Sequence, residues 1–386
     1  MRLLMLHNRY RAHGGEERAV IELATLLRRR GHLVELLERD SAAVSSVRAA
    51  HALLRGGERE SEVEDAIARV RPDVVHAHNL HPLLGWRALA AARDAGVRTV
   101  LQLHNYRLYC ATGVAYRNGV PCHACRGLDT VPGLVHNCRG SRPQAAVYAA
   151  GIARAQRRLL AAADQLIVLS DVQRELLEHH GLRHPRVRTV PNFVPAAQVA
   201  ASSAAADGRY ALVAGRLVRE KGFDVAVIAA RAAGVPLVIA GAGPDEPRLR
   251  ALAAGADVRF EGWVESGRLA ELRAHAAMLL APSLWEEVCP FAVLDALASG
   301  VPVISSDRGG LPELVGSGGR VLPAGDLDVW SAAVADLWND REGRRSSGEA
   351  ARQRASTQFG EERAYRELRA VYDVARASSS TSGLAS

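Results

Sequence analysis

A rhythm of short apolar runs and longer amphipathic ones limits this chain more than any other feature, and it starts twice. Residues 2–8 (RLLMLHN), 32–40 (HLVELLERD), 72–79 (PDVVHAHN), 97–105 (VRTVLQLHN), 165–170 (QLIVLS) and 187–193 (VRTVPNF) read as strands, with helical stretches between most of them. In the first helical stretch, residues 15–31, Ala19, Val20, Leu23, Leu26 and Leu27 fall on one face and acids stand near the start. The pattern resumes at 209–216 (RYALVAGR) and runs through 236–242, 258–263, 277–283, 301–307 and 319–325. Strand and helix in alternation predict a parallel sheet covered on both faces. The fold class is therefore α/β, with two doubly wound Rossmann-like domains facing a central cleft. The first covers 1–195 and the second 209–358. Residues 196–208, small and without apolar period, form a linker. A helix over 359–376 follows, then a Ser-rich tail, 377–386, expected to be disordered.

Apolar residues make up 48% of the 386 and charged ones 24%, ordinary values for a soluble globular chain. No run of about 18 apolar residues is present, so no membrane-spanning helix is expected, and the charge-broken N-terminus reads as a buried strand rather than a signal peptide. Cytoplasmic location is the default expectation. The formal charge of +7 points to an anionic partner, such as a phosphorylated ligand or an anionic membrane surface. Nucleic acid is the poorest candidate, because aromatics are only 5% and the arginines are scattered.

Of the 49 Lys and Arg residues, 48 are Arg and one is Lys, at position 221 in GRLVREKGFD. An ammonium is a compact point charge that can deprotonate, which a guanidinium is not. Three readings follow: a solvated surface lysine, a phosphate-binding charge, or a Schiff-base amine carrying pyridoxal phosphate. The turn holding Gly215, Arg216 and Lys221 follows a strand and precedes a helix, a place where backbone N–H groups attract phosphate. Gly241 lies in a second Gly-rich turn, AGAGPD, where tight geometry alone accounts for glycine. Further on, PSLWEEVCPFAVLDALASGVPVI sets Glu287 and Asp295 eight residues apart. Asp295 falls inside an apolar helix, so a buried carboxylate there needs a partner. A ribose diol is one. Core packing accounts for Trp285 and Phe291.

These motifs resemble the retaining, nucleotide-sugar-dependent glycosyltransferases of the GT-B fold, in the large family numbered 4. Its Glu-x7-Glu pair corresponds to Glu287 and Asp295, with Asp in place of the second Glu. GRLVREKG resembles the family's Gly-Arg-Leu…Lys-Gly element, and GGLPELV (309–315) the element after the next strand. GGEERAV (14–20) resembles its first glycine loop. The resemblance implies transfer of a hexose-type sugar from a nucleoside diphosphate, UDP before GDP, to an acceptor hydroxyl, with retention and no catalytic cofactor. It implies catalytic roles for His104, Arg216, Lys221 and Glu287. Donor contacts are implied for Gly14, Gly15, Gly215, Arg216, Lys221, Gly241, Val264, Glu287, Cys289, Pro290, Phe291 and Asp295. His104 has a plainer reading, since His76, His78 and His81 also sit near strand ends, where packing usually explains a histidine. The acceptor, a saccharide, lipid-linked or small molecule, is expected on the first domain near the Cys-rich insertion 105–142, with peripheral contact at the inner membrane face. A non-catalytic nucleotide-sugar-binding module is the competing class.

Cys110, Cys122, Cys125 and Cys138 crowd that insertion. A Cys-x2-Cys pair with outlying cysteines matches structural zinc, and four reduced thiols are the other reading.

Overall fold

The computed structural model describes residues 1–10 and 14–380, the last six of these by backbone alone. The chain forms two compact units. One comprises Met1–Ala115, His123–Pro191 and the chain from Ala364 onward; the other comprises Tyr116–Cys122 and Asn192–Arg363.

In the first unit, β1 (Arg2–Arg9), β2 (Leu33–Asp40), β3 (Val74–Ala77) and β4 (Arg98–Gln102) form a sheet with β7 (Gln165–Val168) and β8 (Val187–Thr189). Between them in sequence, β5 (Tyr116–Arg117) and β6 (Val120–Pro121) form a small antiparallel hairpin, which groups with the second unit. The sheet order is β2-β1-β3-β4-β7-β8 and every pairing is parallel. Leu3, Leu4, Met5 and Leu6 are fully buried, as continuous apolar strands must be when helices cover both faces. The helix Gly15–Arg29 buries the expected Ala19, Val20, Leu23, Leu26 and Leu27. Its first turn carries Glu16 and Glu17 and its last Arg28 and Arg29, charges that suit the helix dipole.

The second unit repeats the scheme with β9 (Tyr210–Ala214), β10 (Leu237–Ala240), β11 (Val258–Gly262), β12 (Ala276–Ala281), β13 (Val303–Ser306) and β14 (Gly319–Leu322). Its order, β11-β10-β9-β12-β13-β14, is that of dinucleotide-binding sheets, with reversal between β9 and β12. In the first unit the reversal lies between β1 and β3. Ligands of such sheets bind beyond the carboxyl ends of the strands at that point. Trp330, fully buried, anchors the core under the second sheet.

Two segments differ from expectation. Residues 196–208 are not a loose linker: Ala200 N–H donates to the Ala298 carbonyl at 2.8 Å, and Ser203 Oγ to that of Gly300 at 2.5 Å. Arg344 donates to the carbonyls of Ala205 and Ala206. A segment without apolar period is held here largely through its backbone, which sequence periodicity does not register. The final helix, Glu361–Ser380, also takes in the first four residues of the expected tail; residues 381–386 lie outside the described residues. Its Leu368, Val371 and Tyr372 are buried in the first unit.

Glycine is required where β9 and β10 end. Gly241 has φ of 150°, and a Cβ there would stand 1.8 Å from the Gly215 carbonyl oxygen. Gly241→Ala should therefore cost about 3 kcal/mol or more from overpacking against backbone, read as a lower denaturant midpoint. An unchanged midpoint would mean that the two strand ends part freely.

Candidate functional site

The second unit gathers charge at its reversal point. The 3-10 turn Arg219–Lys221 follows β9 and ends at Gly222, which has φ of 64° and caps the helix Phe223–Ala233. A side chain on Gly222 would strike the Pro282 carbonyl oxygen at 2.1 Å, so the turn after β9 lies directly on the loop after β12. Lys221 Nζ donates to Glu287 Oε1 at 2.5 Å, and Ser283 Oγ donates to the same oxygen at 2.7 Å. Glu287 is buried, while the Lys221 side chain keeps 22% exposure, which leaves the ammonium reachable. Its Nζ also lies 5.6 Å from the Trp285 ring centroid. Both bonds to the Glu287 carboxylate fall on Oε1.

Backbone donors complete this end of the sheet. Gly310 N–H donates to the Glu287 carbonyl at 2.7 Å, and Gly309 N–H to Glu286 Oε2 at 2.6 Å. Gly215, Gly241 and Gly262 stand at the adjoining ends of β9, β10 and β11, tied by Gly215 N–H to Ala240 O and Gly241 N–H to Gly262 O. Arg216, five residues before Lys221, is largely exposed and lies 4.0 Å from Glu220. Val264 occupies the loop after β11. Cys289 is buried, which pushes its thiol up to about 12 and leaves it inert. Pro290 caps the helix Phe291–Ala298, whose Phe291 is buried with Trp285 as core packing requires.

Asp295 finds the partner its burial demands within the protein. Its Oδ2 lies 3.5 Å from Arg273 Nη1, and both side chains are almost fully buried. That pairing joins two helices 22 residues apart in sequence, and the sequence analysis missed it. Also missed was a network in which Asp245, itself buried, takes Arg219 at 2.9 Å and Arg248 at 2.7 Å, with Arg248 reaching Asp224 at 3.0 Å.

The first unit presents uncharged polar groups instead. His78 Nδ1 and His104 Nε2 lie 3.0 Å apart. The rings of His76 and His78 stand 4.3 Å apart and those of His7 and His78 6.5 Å. His76 Nδ1 meets the Tyr372 hydroxyl at 2.9 Å. Burial, with lesser help from neighbouring imidazoles, holds His104 down at about 3; burial likewise sets His76 at about 3 and His7 at about 4. These rings are neutral at physiological pH. Gly14 and Gly15 open the helix Gly15–Arg29 beside them, and Glu17 closes that turn by accepting from Gly14 N–H at 2.9 Å and Tyr10 N–H at 3.1 Å. Glu16 accepts from Asn105 Nδ2 at 3.2 Å, and Arg107 Nε donates to the Tyr10 hydroxyl at 3.1 Å. Burial, reinforced by Glu17, raises the Glu16 carboxyl to about 8. Sequence reading passed over this group, because Tyr10 and Arg107 lie 97 residues apart.

The four cysteines admit two readings, structural zinc and reduced thiols. Among the described residues no three of His, Cys, Asp or Glu are arranged to hold a metal ion. Cys110 Sγ meets Thr112 Oγ1 at 3.1 Å, and Cys122 groups with the second unit. Among the described residues no helix is long and apolar enough to cross a membrane.

Comparison with known proteins agrees with this architecture. Residues 197–354 match the family model described as glycosyl transferases group 1, and 13–198 match glycosyltransferase family 4. The chain is 30% identical over 330 residues to a glycogen synthase of Mycobacterium tuberculosis, covering 80% of this chain and 70% of that one. It is 32% identical over 283 residues to a GDP-mannose-dependent alpha-mannosyltransferase of the same species, covering 70% and 66%. Against an exopolysaccharide phosphotransferase of Streptomyces coelicolor, 32% identical over 209 residues, it covers 51% of itself and only 22% of the relative. Among solved structures, a sucrose-phosphate synthase of Thermosynechococcus elongatus superposes with a TM-score of 0.71 at 17% identity over 98% of this chain and all of that one. Anabaena Alr3699/HepE, in complex with UDP and glucose, gives 0.66 at 16% over 97% and 100%. Two parallel Rossmann-like sheets, both family models and these relatives together place the chain among the GT-B-fold glycosyltransferases.

Proposed function

We propose that the enzyme transfers a hexose-type sugar from a nucleoside diphosphate, most simply UDP, to an acceptor hydroxyl with retention of configuration. The observation that carries this reading is the Lys221–Glu287–Ser283 constellation at the reversal point of the second sheet. When the bond between anomeric carbon and diphosphate breaks, negative charge grows on the leaving phosphate. A fixed cation aimed at that charge is worth about 3 kcal/mol, and Lys221 with Arg216 supplies it. Glu287 accepts from the sugar's hydroxyls through Oε2. Lys221 stands as an ammonium in an ion pair, the form that binds phosphate; Schiff-base chemistry needs the free amine. Asp295 is assigned the ribose, with Arg273 orienting its carboxylate. The binding of UDP and glucose by Alr3699/HepE supports a UDP-sugar, and the mannosyltransferase relative keeps a GDP-sugar as the second choice. His104 acts on the acceptor side as a neutral hydrogen-bonding group.

Three measurements test this. Lys221→Ala should lower turnover about a hundredfold, with Lys221→Arg between it and wild type; wild-type rates in Lys221→Ala would sink the assignment. In calorimetry with UDP alone, Asp295→Asn should weaken binding about tenfold, whereas Glu287→Gln should keep UDP binding and lose transfer. Equal loss in both would contradict the separate roles.

The third concerns pH. The folded-state pKa values of His7, His76, His81, His104 and His180 lie at about 3 to 4 and that of His78 well below its ordinary value. Each histidine therefore takes up a proton on unfolding between its folded value and about 6.5. Stability from these groups is complete above 6.5 and is lost as pH falls toward 4. Glu16, raised to about 8, works in the opposite direction and releases one proton at pH 5.5. Unfolding at pH 5.5 should thus take up about four protons net from these groups, measured from calorimetric enthalpies in buffers of differing ionisation heat. No net uptake would show that the rings are charged in the folded protein.

A further inference from the structure

One contact between two histidines of the first unit fixes where a proton sits. His78 stands just beyond β3 and His104 just beyond β4, neighbouring strands of the sheet, and His78 Nδ1 lies 3.0 Å from His104 Nε2. Nitrogens at that distance share a hydrogen, so one ring donates and the other accepts. Burial keeps both rings neutral at physiological pH, and a neutral imidazole carries a single N–H. Two arrangements satisfy these conditions. In one, His78 donates from Nδ1 and keeps a lone pair on Nε2. In the other, His104 donates from Nε2 and the hydrogen of His78 sits on its own Nε2.

The surroundings of His78 decide between them. Its side chain is buried, and its Nε2 is sealed from solvent with no hydrogen-bond partner. The rings beside it are those of His76, 4.3 Å away between centroids, and His7, 6.5 Å away. His76 Nε2 and both nitrogens of His7 are themselves buried without partners, so neither ring supplies an acceptor to His78. The first arrangement therefore leaves a lone pair unmet at Nε2, and the second leaves an N–H unmet there. Orphaned N–H groups are the rarer of the two in protein interiors. His104 imposes no such choice. It is only half-buried, and its Nδ1 is not among the sealed, unpartnered nitrogens.

We infer that His78 is a positioning residue: it donates from Nδ1 to His104 Nε2 and so fixes His104 in the tautomer that carries its hydrogen on Nδ1. His104 then offers a ligand an N–H and has no lone pair left with which to take a proton. Such a group suits an oxygen on which negative charge grows and does not serve as the base for an acceptor hydroxyl. That His104 meets a substrate oxygen rests on the glycosyltransferase reading above; the tautomer does not.

Ring-15N histidine spectra of the full chain at neutral pH read the tautomer directly, with His104→Gln identifying the His104 signals. His104 should show a protonated Nδ1 and a bare Nε2; a protonated Nε2 would overturn the inference. His78→Leu, which fills the space without an N–H, should lose this fixed pattern, while His78→Asn, whose amide nitrogen takes the place of Nδ1, should keep it. An unchanged pattern in folded His78→Leu would also overturn the inference. Thermal unfolding checks each variant, and where His78→Leu fails to fold the wild-type spectrum decides alone. Activity is read separately. Turnover of UDP-glucose should fall about tenfold in His78→Leu with UDP affinity unchanged, and His78→Asn should recover most of it. Loss of UDP affinity in step with turnover would reduce His78 to a structural role. Wild type that neither binds UDP nor turns over UDP-glucose would remove the glycosyltransferase reading, with the tautomer still judged by the spectrum.

Discussion

A buried carboxylate that must be paired sets the geometry of the second unit. Glu287 is almost fully removed from water, and an isolated carboxylate in such a place costs several kcal/mol. Lys221 and Ser283 meet that need on one oxygen. They can do so because β9 and β12 are neighbours, so the turns that follow them share one crevice. Gly222 and Gly309 then have to lack side chains, since a Cβ on them would stand 2.1 Å from the Pro282 and 2.0 Å from the Glu287 carbonyl oxygen, well inside contact distance. Strand order, two glycines and one ion pair are in this sense a single constraint. The pair also keeps an ammonium partly open to solvent, which the proposed function assigns to the donor phosphate.

The two units use the same sheet logic for opposite electrostatics. In the second, strand ends carry ions: Lys221, Glu287, and the Asp245 network with Arg219 and Arg248. In the first, strand ends carry histidines that burial keeps neutral, beside a carboxyl whose proton burial retains. A site that receives a diphosphate needs positive charge in place. A site that receives hydroxyls needs donors and acceptors that do not compete for counterions, and neutral imidazoles serve as both. Two arginines of the first unit, Arg107 and Arg139, stand on the aromatic faces of Tyr10 and Tyr148.

The fold was legible because it is written in local period. Buried parallel strands read as apolar runs and their covering helices as one-sided faces, so both sheets and the helix Gly15–Arg29 follow from neighbours in sequence. Lys221 and Glu287 were legible for the same reason, since each sits in a turn just after a readable strand. What escaped depends on distant pairs. Arg273 neutralises Asp295 from another helix, and Tyr10, just after β1, meets Arg107, beyond β4. Four thiols fall within 29 residues, and the chain between them turns through an antiparallel hairpin and a short helix, so spacing along the chain does not fix which thiols meet. The segment 196–208 escaped because backbone carbonyls hold it, and those are common to every residue.

The single lysine can now be set against the 48 arginines. Arg344 donates to the carbonyls of Ala205, Ala206, Leu337 and Trp338, and Arg248 joins two aspartates. Both jobs use several N–H groups of a planar fork at once, and an ammonium cannot span such acceptors. At position 221 one carboxylate oxygen is the protein's whole demand, and the remaining donors must turn toward whatever enters. A guanidinium that satisfied Glu287 in bidentate fashion would occupy Oε2 as well and close the site it is meant to open. Arginine is therefore suited to holding this protein's own oxygens in fixed pairs. On the proposed function, lysine is suited to the one place where an oxygen comes from the donor.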